Sequence, residues 1–196
     1  MTKHLKIGAH GLALLLLAGC IAGPAHAADA RNSVLLGCGQ SIRGFGDTTE
    51  RVGLLDLAYR HRHVLHARRG RGWYEGSHEL WFELPVSFVL SNREDRDEYE
   101  VGMVGLNFLF AWVFSGTERG SPYFILGGGP RYVLADIEGV GSETPGNYQI
   151  GLGYRFPGPW NTQLTADLRY IHVSNLGLAD PNVPLNSIAV YLGMAF

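Results

Sequence analysis

Residues 161 to 172 read NTQLTADLRYIH, and the order of residue types in this stretch decides the fold class. Read in twos, Leu164, Ala166, Leu168 and Tyr170 fall on one face, while Gln163, Thr165, Asp167 and Arg169 fall on the other. A period of two belongs to a β-strand, since a helix would scatter both sets around its axis. In a soluble sandwich the apolar face would be the inner one. Here the polar face carries glycine and both signs of charge in neighbouring segments, a combination that can pair inside a narrow closed barrel but is costly in hydrocarbon. Apolar side chains therefore face lipid and polar ones face inward.

Seven further segments repeat the pattern. Strands are expected at about 33–43, 49–60, 76–90, 99–115, 121–136, 147–156 and 186–196. Between 76 and 90, Leu80, Phe82, Leu84, Val86, Phe88 and Leu90 share a face, opposite Glu79, Trp81, Glu83 and Ser87. The next strand places Val104, Leu106, Phe108, Phe110, Trp112 and Phe114 together, and the last sets Ile188, Val190, Leu192, Met194 and Phe196 outward. The expectation is an all-β fold, an eight-stranded antiparallel outer-membrane β-barrel with both termini in the periplasm. Loops near 44–48, 91–98, 137–146 and 175–185 would then be extracellular. The basic stretch from His61 to Arg71 would be a long periplasmic turn. Trp73, Tyr74, Tyr99, Trp112, Trp160 and Tyr170 fall near strand ends, as interfacial belt residues do.

The N-terminus agrees with export. Lys3 and Lys6 precede an apolar run from Gly11 to Leu17, too short to span a bilayer, and Ala25-His26-Ala27 forms a small-residue cleavage site. Residues 1–27 are expected to be a signal peptide and 28–196 a single barrel domain. Leu17-Ala18-Gly19-Cys20 offers the alternative of lipoprotein processing at Cys20. Removing Lys3 and Lys6 takes the 16 basic residues to 14, against 18 acidic ones, a balance that argues against a nucleic-acid partner. Cys38 would be the one cysteine left, so no internal disulfide can form.

Chemistry concentrates at the C-terminal end. His172 continues the lipid-facing series of its strand, and Ser174 lies two positions on, so both side chains project to one face. A His–Ser pair is the minimum for an activated hydroxyl nucleophile, because neutral imidazole can take the proton and later return it. Asn186 has the parity of Ile188 and Val190 on the following strand, at the end nearest His172, where a third group could orient the ring.

The segment His172-x-Ser174-Asn175-x-Gly177, followed by Pro181-Asn182 and a polar residue at 186, resembles the signature of PagL-type lipid A 3-O-deacylases, also called acyloxyacyl hydrolases. The detailed match covers about 15 positions, with looser agreement around Pro122-Tyr123 and the glycine run after it. The resemblance implies an outer-membrane serine esterase that removes an ester-linked 3-hydroxyacyl chain from lipid A, with lipopolysaccharide as substrate and no cofactor or metal. It further implies His172 as general base and Ser174 as nucleophile. Asn175, through its backbone N–H, and Asn182 would be oxyanion donors, and Gly177 the residue that allows the tight loop. Asn186 departs from the best-known members of the family, which have Glu at the matching position, and Pro184 sits where Gly is familiar. Asn in place of a triad acid can cost about 10⁴ in turnover when it selects the wrong tautomer. Asp180, in the same loop, offers a substitute acid.

Other clusters read as structure. His61, His63 and His66 stand among Arg62, Arg68, Arg69 and Arg71, the composition of a solvated basic turn rather than a metal site. Glu79, Glu83 and Asp167 share inward faces with arginines, as interior ion pairs would. The mixed charges from Asn92 to Glu100 suit a solvated loop better than a calcium cage. The rival functional reading is a non-catalytic structural or adhesive barrel. An esterase acting on other lipids, such as phospholipids, is a further one.

Overall fold

Alternation in the sequence becomes a closed ring of antiparallel strands in the computed structural model, which describes residues 30–49, 51–91, 100–134, 145–178, 180 and 182–196. The expected signal peptide with its alternative at Cys20, the charge cluster at 92–99, most of the 137–146 loop, and Pro181 lie outside the described residues. The strands are β1 (Asn32–Ser41), β2 (Val52–Arg69), β3 (Gly76–Ser91), β4 (Glu100–Gly105), β5 (Asn107–Phe114), β6 (Ser121–Val133), β7 (Gly146–Pro157), β8 (Gln163–Ser174) and β9 (Leu185–Ala195). Consecutive strands pair, with β4 and β5 lying end to end between β3 and β6, and β1 pairs with β9 from Ser33↔Ala195 to Ser41↔Ser187, which closes the ring. Closure leaves no sheet edge, the condition for crossing a bilayer with strands.

The β4 and β5 segments are two halves of the single strand expected at 99–115, interrupted at Leu106, whose N–H donates to Pro130 O at 3.1 Å. Both halves pair with β3 and β6, so the ring counts eight strands. The interruption lies at the Pro130 end of the run Gly127, Gly128 and Gly129 of β6, whose first two members pair with Leu109 and Phe108. A Cβ at these glycine positions would stand 2.1, 1.9 and 2.0 Å from carbonyl oxygens of Phe108, Asn147 and Leu106. Backbones approach here more closely than any side chain permits.

One expectation is corrected. The stretch His61–Arg71 is not a turn: β2 runs on to Arg69, and its ladder with β3 continues through Val64↔Glu79 and His66↔His78 to Arg69↔Gly76, with two register shifts. Pairing across the hairpin outweighs the loop-like composition, and the turn itself shrinks to a 3-10 element at Gly72–Tyr74. His61 Nδ1 is held by Asn32 Oδ1 at 2.9 Å, and His66 meets His78 edge to face. Among the described residues no three His, Cys, Asp or Glu side chains converge as a metal ion would require.

Parity is as the sequence indicates. Leu168, Leu152, Val190 and Leu192 are exposed on the outer wall, while Asp167, Arg169, Glu83 and Arg60 are buried inside. The interior is built in layers. Arg60 donates to Glu83 at 2.7 Å and to Asp167 at 3.0 Å, and Arg169 donates to Glu83 at 2.8 Å, to Asp167 at 2.5 Å and to Gln149 at 3.0 Å. Tyr123 adds its hydroxyl to Asp167. Each acid thus meets two guanidinium groups, which offsets the cost of desolvating four charges. An apolar cluster around Trp81, Tyr123 and Ile125 occupies one part of the interior, and a second, around Leu35, Ile171 and Tyr191, occupies another. The lumen is a packed core, as expected of so narrow a barrel.

Candidate active site

The strands β8 and β9 carry the site on their outer faces. Register pairs His172 of β8 with Asn186 of β9 and Tyr148 of β7 with His172, so three side chains stand in a row across three strands. His172 Nε2 lies 2.9 Å from Ser174 Oγ, and His172 Nδ1 lies 2.7 Å from Asn186 Oδ1. The two-residue spacing needs only the strand itself to bring the hydroxyl and the imidazole together.

Although their parity is outward, Ser174 is 7% exposed and Asn186 2% exposed. The loop from Ile42 to Thr49, between β1 and β2, folds over them. Ile42 N–H donates to Asn186 O at 2.9 Å, and Phe45 packs edge-on against Tyr170 with ring centroids 5.8 Å apart. Asn186 Nδ2 donates to Phe45 O at 2.9 Å, Gly46 O at 2.8 Å and Thr48 Oγ1 at 2.8 Å. Its Oδ1 faces the other way and accepts from Tyr170 Oη–H at 2.5 Å as well as from the His172 ring. Carbonyl oxygens accept only, so the amide cannot turn over, and His172 must carry its proton on Nδ1. Its Nε2 lone pair then points at the Ser174 hydroxyl. That tautomer can accept a hydroxyl proton.

Tyr148 completes the wall. Its ring stacks on the imidazole with centroids 4.5 Å apart and an interplanar angle of 23°. Positive charge arising on His172 would sit against an aromatic face.

Downstream of Ser174 the chain makes a tight turn. Asn175 is buried and accepts Gly177 N–H on its Oδ1 at 2.9 Å, while Leu176 and Gly177 both take left-handed backbone, with φ of 59° and 75°. Gly177 does so without the Cβ penalty that other residues meet. Asn175 N–H points at Asn182 Oδ1, 3.0 Å away, so the two expected oxyanion donors face each other. Asp180 is exposed, and the Nδ1 side of the ring is occupied by Asn186.

The strands that carry this cluster lie in a span that matches a known family. The family model for lipid A 3-O-deacylase (PagL) matches residues 55–195. The chain belongs to the PagL family. A crystal structure titled as the outer membrane enzyme PagL aligns with a TM-score of 0.57 and 20% sequence identity, covering 82% of this chain and 97% of that one. At that identity the likeness speaks for the barrel fold. Comparison with curated proteins gives no match. The PagL match begins at Leu55, beyond the loop that covers Asn186.

The sequence pointed to His172, Ser174, Asn175, Gly177, Asn182 and Asn186, and all six lie at one end of the β8–β9 hairpin. It did not point to Thr48, Phe45 or Gly46, which reach the site from more than a hundred positions away. Nor did it give Tyr148 and Tyr170 roles beyond strand and belt. Their registry opposite His172 and Ile188 was the available signal.

Proposed function

We propose that this protein is an outer-membrane serine esterase that hydrolyses an ester-linked 3-hydroxyacyl chain of lipid A. The observation that carries the reading is the 2.9 Å approach of His172 Nε2 to Ser174 Oγ on the lipid-facing wall, in a chain of the PagL family. A substrate held in the outer leaflet reaches such a site sideways, without entering the barrel.

Ser174 Oγ attacks the ester carbonyl carbon while His172 Nε2 takes its proton. The negative charge that develops on the carbonyl oxygen is received by Asn175 N–H, which exchanges its bond to Asn182 Oδ1 for one to the oxyanion. The freed Asn182 amide turns its Nδ2 inward as second donor. Losing one such donor typically costs about 10² to 10³ in rate. Collapse of the tetrahedral species breaks the bond to the sugar oxygen, which takes the proton back from His172. Water, deprotonated by the same nitrogen, then releases the 3-hydroxy fatty acid and restores Ser174. Throughout, Asn186 Oδ1 holds the Nδ1–H of the ring.

Ser174→Ala and His172→Ala should each give a folded, heat-modifiable barrel that no longer releases 3-hydroxy fatty acid from lipopolysaccharide. Mass spectrometry of lipid A from cells with and without the protein reads the reaction. Normal release by Ser174→Ala would sink the proposal, and serine-dependent cleavage of phospholipid with lipid A intact would overturn the substrate.

A further inference from the structure

We propose that the β1–β2 loop is a working part of the site, a clamp that requires an amide at position 186, with Thr48 as its positioning residue. The inference rests on the reading of His172 as the base, but its structural core does not depend on turnover.

Every group that the loop presents to Asn186 Nδ2 is an acceptor. Phe45 O and Gly46 O lie at 2.9 and 2.8 Å. Thr48 Oγ1 commits its own hydrogen to Pro184 O at 2.9 Å, so its lone pairs are left for Asn186 Nδ2 at 2.8 Å and Asn186 N–H at 3.0 Å. Thr48 is 2% exposed. The loop is shaped for this contact. Gly44, Gly46 and Asp47 have φ of 80°, 54° and 64°, and a Cβ on Gly46 would stand 2.9 Å from Asn186 Nδ2. A carboxylate at 186 would set its second oxygen against three acceptors inside a buried pocket, where repulsion is least screened.

It follows that the acid that would normally suit an imidazolium is the wrong residue here. An amide supplies the same acceptor to His172 and, unlike a carboxylate, ties its other end down. The loop and the amide at 186 thus fit each other as one unit.

The test begins with ¹⁵N NMR of the His172 ring in the wild-type barrel in micelles. The neutral ring is expected to be protonated on Nδ1, and a ring protonated on Nε2 overturns the clamp whether or not the protein hydrolyses lipid A. Kinetics on lipopolysaccharide follow. Asn186→Asp, the same size, is expected to lower kcat by roughly tenfold or more with KM little changed. Thr48→Val should lower kcat similarly and populate the second tautomer in the ring spectrum, whereas Thr48→Ser, which keeps the hydroxyl, should restore both. Asn186→Asp turning over as fast as wild type or faster would overturn the proposal, as would a Thr48→Val barrel with wild-type kcat and ring shifts. Inactivity of the wild type toward lipid A, with the Nδ1–H tautomer still present, would count against the functional reading alone.

Discussion

Asn186 Oδ1 sits 2.7 Å from His172 Nδ1 with its amide nitrogen turned away from the ring. A neutral side chain thus stands in the acceptor position of the proposed His–Ser site, and its orientation is set by what lies behind it. Removing the side chain should free the imidazole to rotate and leave Phe45 O and Gly46 O without their donor. Asn186→Ala is expected to cost roughly 10² to 10⁴ in kcat, the range that a positioned general base supplies. Initial rates of fatty-acid release check it, with heat-modifiable gel mobility as the control for folding.

Inside the barrel, Asp167 is the acid whose loss should be felt most in stability. It accepts from Arg60 and Arg169 and from the Tyr123 hydroxyl. Asp167→Asn would leave two guanidinium groups sharing Glu83, with one positive charge uncompensated in the buried interior, a change that typically costs about 3 to 5 kcal/mol. Urea titration of the barrel in lipid vesicles should show a midpoint well below that of wild type. Arg68→Ala, which removes the exposed pair with Glu75 at 2.9 Å, should leave the midpoint in place.

Much of this was legible in the chain because a lipid-facing barrel writes itself in period two, and a single register error would put Leu168 inside and Arg169 in hydrocarbon. The same parity located His172, Ser174 and Asn186 on one face before any distance was known. What parity could not reveal is contact between segments far apart in sequence. Thr48 and Asn186 are separated by 138 positions, and they meet because β1 and β9 close the ring. Composition misled at His61–Arg71, where strand pairing with β3 holds a run of histidines and arginines extended. The mutual bond of Asn175 N–H and Asn182 Oδ1 was also invisible, since side-chain direction in a turn follows from φ values such as those at Leu176 and Gly177.

Gly177 should matter through its backbone alone. Its φ is 75°, and nothing lies within 4 Å of where a Cβ would be. Gly177→Ala therefore meets no clash but carries the left-handed penalty of about 1 to 2 kcal/mol. The expected result is a folded barrel whose midpoint falls by no more than that penalty allows and whose 175–182 loop is loosened, with Asn175 and Asn182 less well aimed. A fall in kcat together with faster amide exchange at Leu178, whose N–H is bonded to Asn175 O at 3.1 Å, would show it.

Tyr148 offers a test of charge on the imidazole. Its ring lies 4.5 Å from that of His172 and nearly parallel to it, and half of the residue is exposed. A partly solvated aromatic face stabilises a cation by about 0.5 to 1 kcal/mol, which converts to a two- to fivefold effect on a step that forms imidazolium. Tyr148→Phe keeps the face and should retain most activity. Tyr148→Leu keeps an apolar side chain against lipid but removes the face, and should lower kcat two- to fivefold with KM little changed. Equal losses in both variants would point instead to the hydroxyl, and no loss in either would mean that the stacked ring contributes nothing to the protonated state of His172.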